Sequence, residues 1–273
     1  MEINEIKKIL NLMGAPAKKS LGQHFLISPS VVDKIVSAGE IKREDTILEI
    51  GPGLGVLTGA LVKSPTSKLI LCEKDRNFSE YLKGVYKNNK VKTICEDALL
   101  LIPNLQVITP FKVISNLPYN ISSPVIVSLL TVCPTMPDKM VLMLQKEVAE
   151  RLVAKPHDSN RGILTVLIEL LGEAKILEKV PKNLFYPIPQ VDSAVIVISS
   201  LKKSDLDLKF ALKILKLSFA GKRKKIKNSL FSALKIEPKE AQKIADKSGF
   251  TLEQRPEELT RDQWAKLIKI LNS

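Results

Sequence analysis

The stretch "DTILEIGPGLGVLTGALV", residues 45–62, decides the fold class of this chain. A short apolar run precedes a cluster of glycines, and the leucines that follow recur at helical spacing. The pattern predicts a strand, a tight turn and a helix. The absent side chains of Gly51, Gly53 and Gly55 let backbone amides approach a ligand closely. Such a turn also serves nicotinamide and flavin dinucleotides, or is simply a tight turn.

Four more apolar runs of strand length follow this turn. They are "KLILCEKD" (68–75), "VKTICEDAL" (91–99), "FKVISN" (111–116) and "KMVLMLQ" (139–145). Segments long enough for a helix or crossover separate the strands, so the alternation predicts an α/β fold with a parallel, doubly wound sheet covered on both faces.

The pattern changes after about residue 174. "AKILEKV" (174–180) and "SAVIVIS" (193–199) are typical of an antiparallel pair around a proline-bearing loop. Four segments with helical spacing follow: 207–221, 224–235, 237–249 and 255–271. We therefore expect two domains, residues 1–201 and 202–273.

Charge is unevenly distributed along the chain. The whole chain has a net charge of +13, and residues 201–273 hold 18 basic and 9 acidic residues. Such an excess indicates a polyanionic partner, although a solvated lysine-rich surface would look the same.

Cys72, Cys95 and Cys133 have no spacing typical of a zinc site or a disulfide framework. We expect no metal, a reducing cytoplasm and, because no charge-free run is long enough, no membrane span.

Polar residues stand at the ends of three predicted strands, where open parallel sheets bind ligands. Glu73 is suited to accept both hydroxyls of a ribose, or is a solvated charge. Asp97 can accept a hydrogen bond from an adenine amine, or is a helix cap. Together with the glycine turn, these two acids indicate a cofactor that contains adenosine.

The fourth strand ends in Asn-Leu-Pro-Tyr, residues 116–119. The side-chain oxygen of Asn116 and the carbonyl of Leu117 can accept both hydrogens of a nucleobase amine and aim its lone pair. Pro118 favours the extended conformation that presents this carbonyl, and Tyr119 can stack on the base. Attack of such an amine on a sulfonium methyl group needs no strong base, because the amine becomes cationic and then loses its proton readily. Taken alone, the stretch also suits a proline-induced strand exit with a packed Tyr119.

Six stretches of the chain, taken in order, have a familiar spacing. They are "KKSLGQHFL" (18–26), "LEIGPGLGVLT" (48–58), "CEKD" (72–75), "EDAL" (96–99), "NLPYNISSP" (116–124) and "FYPIPQVDSAV" (185–195). The chain resembles the small-subunit ribosomal RNA adenine dimethyltransferases, class I methyltransferases that use S-adenosylmethionine. The resemblance implies a Rossmann-like, mainly parallel seven-stranded sheet in residues 1–201 and a small all-α, basic RNA-binding domain in residues 202–273.

The resemblance also implies roles for single residues. Phe185 would stack opposite Tyr119 on a flipped adenine, although without the resemblance it is simply a core aromatic. The expected catalytic set is Asn116, Leu117, Pro118, Tyr119 and Phe185. The expected cofactor-binding set is His24, Leu26, Gly51, Gly53, Glu73, Asp97 and Asn116. The expected RNA-binding set is Lys222, Arg223, Lys224, Lys225 and Lys227.

The implied activity is dimethylation of two adjacent adenosines near the 3′ end of small-subunit rRNA. The expected partner is the small ribosomal subunit or its precursor, bound by a cytoplasmic monomer. One stretch departs from the family, "SNRGILTV" (159–166), so RNA contacts or packing around Arg161 are open.

Four other functions remain open at the level of sequence. A large-subunit rRNA adenine methyltransferase shares most of the motifs, and a non-catalytic ribosome-assembly or transcription factor could keep the fold. A nicotinamide dehydrogenase would leave "NLPY" unexplained and would be expected to carry a histidine or a tyrosine-lysine pair there. A DNA adenine methyltransferase would not modify RNA.

Overall fold

A computed structural model describes residues 1–14, 24–221 and 223–273, which form two compact units. One unit contains Met1–Ala149 and Lys175–Leu201, and the other contains Glu150–Ala174 and Lys202–Ser273. The motif at 18–26 is therefore described only from His24 onward. The division of function between residues 1–201 and 202–273 stays a prediction.

Seven of the nine described strands form one sheet. The strands are β1 (Phe25–Leu26), β2 (Thr46–Ile50), β3 (Lys68–Glu73), β4 (Val91–Cys95), β5 (Phe111–Asn116), β6 (Lys139–Gln145), β7 (Glu173–Val180), β8 (Phe185–Tyr186) and β9 (Ser193–Ser199). The sheet order is β4-β3-β2-β5-β6-β9-β7, with β4 to β6 parallel and β9 antiparallel to β6. The predicted α/β class and seven-stranded sheet are confirmed.

The chain changes direction across the sheet next to β2. From β2 it adds β3 and β4 on one side, and then returns to add β5 on the other side. The carboxyl ends of β2 and β5 therefore flank a topological switch point, where open α/β sheets bind ligands. The glycine turn follows β2, and Asn-Leu-Pro-Tyr begins at the last residue of β5.

Helices of the first unit cover the sheet, whose central strands are buried along their length. These helices are α1 (Ile3–Leu12), α2 (Pro29–Ala38), α3 (Val56–Lys63), α4 (Arg76–Val85), α5 (Ala98–Leu101) and α6 (Ser122–Thr131), and α7 (Lys146–Leu152) follows β6. Helix α1 buries Ile6 and Leu10 against Phe25, Leu54 and Phe78. Phe25 lies in the motif at 18–26, and Leu54 lies in the motif at 48–58. By packing against both residues, the amphipathic helix α1 supports one edge of the predicted ligand-binding site.

The second unit is helical. It contains α8 (Ile163–Leu171), α9 (Leu208–Ser218), a π-helical turn (Lys227–Phe231), α10 (Pro238–Ser248) and α11 (Arg261–Asn272). The prediction of one continuous helix over 255–271 is wrong, because the structure has a short turn followed by a separate helix there. A 3-10 turn at Pro256–Glu258 ends before Thr260, whose hydroxyl accepts from Gln263 N at 3.4 Å and caps α11.

Arg161 is a buried residue of the second unit. Its guanidinium donates to the carbonyls of Glu257 (3.1 Å) and Leu259 (2.6 Å) and to the Glu169 carboxylate (2.5 Å). Only 3% of the residue is exposed. In the stretch "SNRGILTV", which departs from the family, Arg161 therefore has a packing role. Its guanidinium connects Glu169 of α8 to the turn before α11. None of the described helices combines the length and apolarity needed to cross a bilayer.

Candidate active site

A cavity of ≈ 470 Å³ lies at the switch point, a volume typical of small-molecule sites. Its wall includes Gly51 and Gly53, both with positive φ angles, +67° and +55°. A Cβ atom at Gly51 would lie 2.8 Å from Pro118 Cγ. Only glycine fits there, because any side chain would strain the backbone and collide with the proline. The glycine turn and Asn-Leu-Pro-Tyr are therefore in direct contact.

Glu73 lines the cavity from the end of β3. Its Oε2 accepts from Gly53 N at 3.0 Å, and its Oε1 accepts from Asp75 N at 2.8 Å. Burial raises the pKa of this carboxyl. Each carboxylate oxygen has a second lone-pair position, so both remain able to accept from a ribose hydroxyl. The alternative of a solvated strand-end charge is wrong, since the residue is 7% exposed.

Asp97 lines the same cavity beyond β4. Its Oδ1 accepts from Leu99 N at 2.9 Å, which caps α5, and its Oδ2 pairs with Lys74 Nζ at 2.8 Å. The hydrogen bond from Lys74 lowers the pKa of Asp97, so the carboxylate is ionised at neutral pH. The helix-cap alternative is confirmed, and recognition of adenine stays a prediction.

Glu49 is a cavity residue to which sequence reasoning gave no role. It lies in β2, is 2% exposed, and accepts a hydrogen bond from Thr58 Oγ1 at 2.7 Å. Burial raises its pKa to about 8, against the opposing Thr58 hydrogen bond and with the help of the Glu73 charge. The available signal was an acid inside an otherwise apolar strand, which is costly unless the acid is neutral or paired.

The amide of Asn116 lies between the cavity and the N-terminal strand. Its Nδ2 donates to the His24 carbonyl at 3.4 Å, while Oδ1 makes no hydrogen bond to any residue that the structure describes. Leu117 N donates to Met143 O at 3.2 Å, which anchors the start of the turn. The arrangement leaves an acceptor on Asn116 beside the glycine turn.

Tyr119 and His24 are partly exposed at the cavity wall. The Tyr119 hydroxyl shares a 2.7 Å hydrogen bond with Ser193 Oγ, and burial raises the pKa of this phenol, so it stays neutral. His24 Nδ1–H donates to the Pro187 carbonyl at 2.7 Å. The two ring centroids are 5.6 Å apart with planes at 23°. The sequence reasoning did not identify Ser193, although it lies within the motif at 185–195 that begins with Phe185.

Phe185, unlike His24 and Tyr119, is not among the residues that line the cavity. It is 1% exposed and belongs to a hydrophobic core cluster, and its strand pairs with β1 so that Leu26 lies opposite it. The core-aromatic alternative describes its position here. Stacking on a base stays a prediction for Phe185, and it would require the ring to leave the core. Leu26 is also buried, but it lines the cavity.

The predicted RNA-binding cluster lies in the second unit. Arg223, Lys224 and Lys225 are exposed, and Lys227 is partly exposed. Lys225 and Lys227 both form ion pairs with Glu253. Lys222 lies outside the described residues.

No group of three or more histidine, cysteine or acidic residues suited to hold a metal occurs within residues 1–14, 24–221 and 223–273. The polar groups that line the cavity instead include backbone amides, the side-chain amides of Asn77, Asn116 and Asn120, and carboxylates that cap a helix or are buried. These groups suit an organic ligand with hydroxyl and amine hydrogens.

Comparison with known proteins places this chain in a family. A family model described as "Ribosomal RNA adenine dimethylase" matches residues 14–273. A ribosomal RNA small subunit methyltransferase A from Prochlorococcus marinus (strain NATL2A) is 36% identical over 264 residues, which cover 93% of this chain and 90% of the relative.

Solved structures share the fold of this chain. A dimethyladenosine transferase from Plasmodium falciparum superposes with a TM-score of 0.75 at 27% identity, covering 91% of this chain and 97% of that one. The 23S rRNA methyltransferase ErmE superposes with a TM-score of 0.65 at 24% identity, covering 91% and 100%, and this likeness shows the fold alone. The chain belongs to the ribosomal RNA adenine dimethylase family.

Proposed function

We propose that this protein transfers methyl groups from S-adenosylmethionine to the exocyclic amines of two adjacent adenosines near the 3′ end of small-subunit rRNA. The observation that carries the proposal is the contact between Gly51 and Pro118. It joins the turn suited to a cofactor to the turn suited to an amine. Family membership and relatives named for the small subunit support this target over the large subunit.

The residues around the cavity fit the cofactor. Gly51 and Gly53 leave open the space that Cβ atoms would fill, beside the backbone amides of the turn. Glu73 offers free lone pairs for the ribose, and Asp97 offers an ionised acceptor near the adenine. Leu26 contributes an apolar wall. When bound, S-adenosylmethionine supplies an electrophilic methyl group on a sulfonium sulfur.

The Asn-Leu-Pro-Tyr turn orients the amine. Asn116 Oδ1 and the Leu117 carbonyl accept its two hydrogens, which holds the nitrogen lone pair toward the methyl donor. Methyl transfer makes the nitrogen cationic, so its proton passes to solvent without a strong base. Tyr119 gives the base a stacking face, and Ser193 holds that ring in place.

Basic residues of the second unit supply affinity for RNA. Arg223 and Lys224 are exposed and suited to phosphates, which fix register without reading bases. Structured RNA is recognised largely by shape, so we expect the small subunit or its precursor to be a better substrate than naked RNA. A cytoplasmic, monomeric protein is part of the same proposal.

Nucleoside mass spectrometry tests the proposal. Purified protein and S-adenosylmethionine are incubated separately with small subunits that lack the modification, with large subunits and with duplex DNA. Dimethyladenosine near the 3′ end of small-subunit rRNA alone is the expected result. Product only in large-subunit rRNA or only in DNA would replace the proposed target. No product anywhere, despite measured cofactor binding, would favour an assembly factor that retains the cavity.

A further inference from the structure

We propose that the rings of His24 and Tyr119 are the two walls of a slot that holds the target adenine, and that the segment Pro187–Ser193 keeps both rings in place. This inference deepens the proposed function and rests on it. It assigns to His24 a contact with the base, in addition to the expected contact with the cofactor.

The first observation is the geometry of the two rings. They are nearly parallel, with planes at 23° and centroids 5.6 Å apart. Both residues line the cavity and both are partly exposed. A pair of facing rings that is partly open to solvent is an arrangement by which proteins hold a flipped or single-stranded base.

The second observation is that each ring is tied at its polar edge. The Tyr119 hydroxyl is bonded to Ser193 Oγ at 2.7 Å, and His24 Nδ1–H donates to Pro187 O at 2.7 Å. Ser193 is fully buried, so its hydroxyl is a fixed anchor. Both anchors belong to the motif "FYPIPQVDSAV", which gives this motif a role that does not depend on exposure of Phe185.

The third observation is that Phe185 is 1% exposed and lies in the core. His24 already faces Tyr119, so a base can be sandwiched while Phe185 stays where it is. The slot must open slightly, because a base between two rings needs about 3.5 Å on each side, or about 7 Å in all. The two rings therefore need to move only slightly further apart. The hydrogen bonds to Ser193 and Pro187 hold the polar edges of the rings while their faces separate.

Two substitutions separate the ring of His24 from its hydrogen bond. His24→Asn removes the ring but keeps a side-chain donor, and His24→Phe keeps a ring but removes the donor. His157→Asn is the matched control, because His157 is the other histidine and its side chain is 70% exposed. Thermal unfolding first establishes that each variant is folded.

Single-turnover methyl transfer to small subunits is measured at saturating S-adenosylmethionine, and the cofactor Kd is measured separately. We expect His24→Asn to slow transfer about tenfold, the effect of losing one stacking contact, with a change of less than about threefold in cofactor Kd. His24→Phe should recover most of the rate. The inference would be wrong if His24→Asn lost methyl-transfer rate and cofactor affinity by the same factor. It would also be wrong if His24→Phe transferred methyl groups no faster than His24→Asn.

A second readout does not depend on methyl transfer. An RNA stem-loop with the sequence of the small-subunit 3′ end carries 2-aminopurine in place of one target adenosine, with S-adenosylhomocysteine present. Stacking in the slot should quench its fluorescence in the wild type and in His24→Phe, and less in His24→Asn. Equal quenching in all three proteins would overturn the inference. An inactive wild type that still shows the expected quenching order would count against the proposed reaction alone.

Discussion

Single residues at this site do their work because the fold controls their protonation and leaves selected lone pairs free. Glu73 keeps acceptor capacity while two backbone amides hold it, and Asn116 keeps its oxygen while its amide hydrogens contact His24. Glu49 is the extreme case, since burial favours its neutral form. These states follow from the neighbours of each side chain in space.

Glu49 makes a prediction about pH. Its pKa rises from 4.5 in the unfolded chain to about 8 in the folded protein, so the unfolded chain loses the proton first as pH rises. The stabilising contribution is complete below pH 4.5 and is lost by about 1.4 kcal/mol per pH unit up to about pH 8. Glu49→Gln should remove this slope.

Urea unfolding of wild type and Glu49→Gln, without cofactor, checks the effect across that pH window. The variant should gain on the wild type steadily as pH rises, and the titrating groups that do not interact with Glu49 cancel in the comparison. A difference in unfolding free energy that is constant with pH would show that Glu49 is ionised throughout.

At the scale of elements, the contact between the turn after β2 and the turn after β5 holds the site together. Gly51→Ala should strain a left-handed backbone by about 1–2 kcal/mol and also push Pro118 away. We expect lower thermal stability and a loss of methyl transfer larger than the loss of stability explains. Gly249→Ala is the control, because its φ is +81° but no atom lies within 4 Å of the new methyl. Similar activity losses in both variants would contradict the contact model.

A buried ion pair supports the opposite ends of the strands. Lys112 Nζ pairs with Asp45 at 2.7 Å and donates to the carbonyls of Glu40 and Gly39, which end the turn after α2. Lys112→Met leaves a buried carboxylate without its cation, so the unfolding free energy should fall by about 3–5 kcal/mol. Lys83→Met removes an exposed pair with Glu80 and should cost about 0–1 kcal/mol. Equal losses in chemical denaturation would contradict this distinction.

At the scale of the whole molecule, the net charge of +13 overstates the number of basic side chains that are available to bind RNA phosphates. Glu253 pairs with Lys225 and Lys227, whose hydrogen bonds lower its pKa to about 2, so it stays ionised at neutral pH. RNA phosphates must compete with this carboxylate.

Glu253→Gln should therefore tighten RNA binding and steepen its salt dependence. Two freed lysines add up to about 2 units to the slope of log affinity against log salt. Filter binding to small-subunit rRNA at several salt concentrations measures the slope, and Glu237→Gln, an exposed acid without a described ion pair, is the control. Weaker binding by Glu253→Gln would mean that the carboxylate positions the lysines for RNA.

Much of this architecture was predictable from local patterns. Period and composition located the strands, and the rule that open parallel sheets bind ligands beyond the carboxyl ends of their strands located the ligand edge, because both depend on short stretches of sequence. The position of Phe185 in the core, the partners of Glu253 and the anchoring by Ser193 depend on residues far apart in the chain. Glu49 was visible as an acid in an apolar strand, but its protonation depends on burial.

The proposed reaction depends on orientation of the amine by Asn116, and the rate of methyl transfer by Asn116→Ala measures this role. Single-turnover transfer to small subunits is measured at saturating S-adenosylmethionine, with Asn104→Ala, an exposed asparagine of the same unit, as control. We expect a rate lower by about 10²–10³-fold, as for other deleted hydrogen bonds that act in a transition state, while the control transfers at the wild-type rate. A folded Asn116→Ala protein that transfers methyl groups as fast as the wild type would show that Asn116 does not orient the amine.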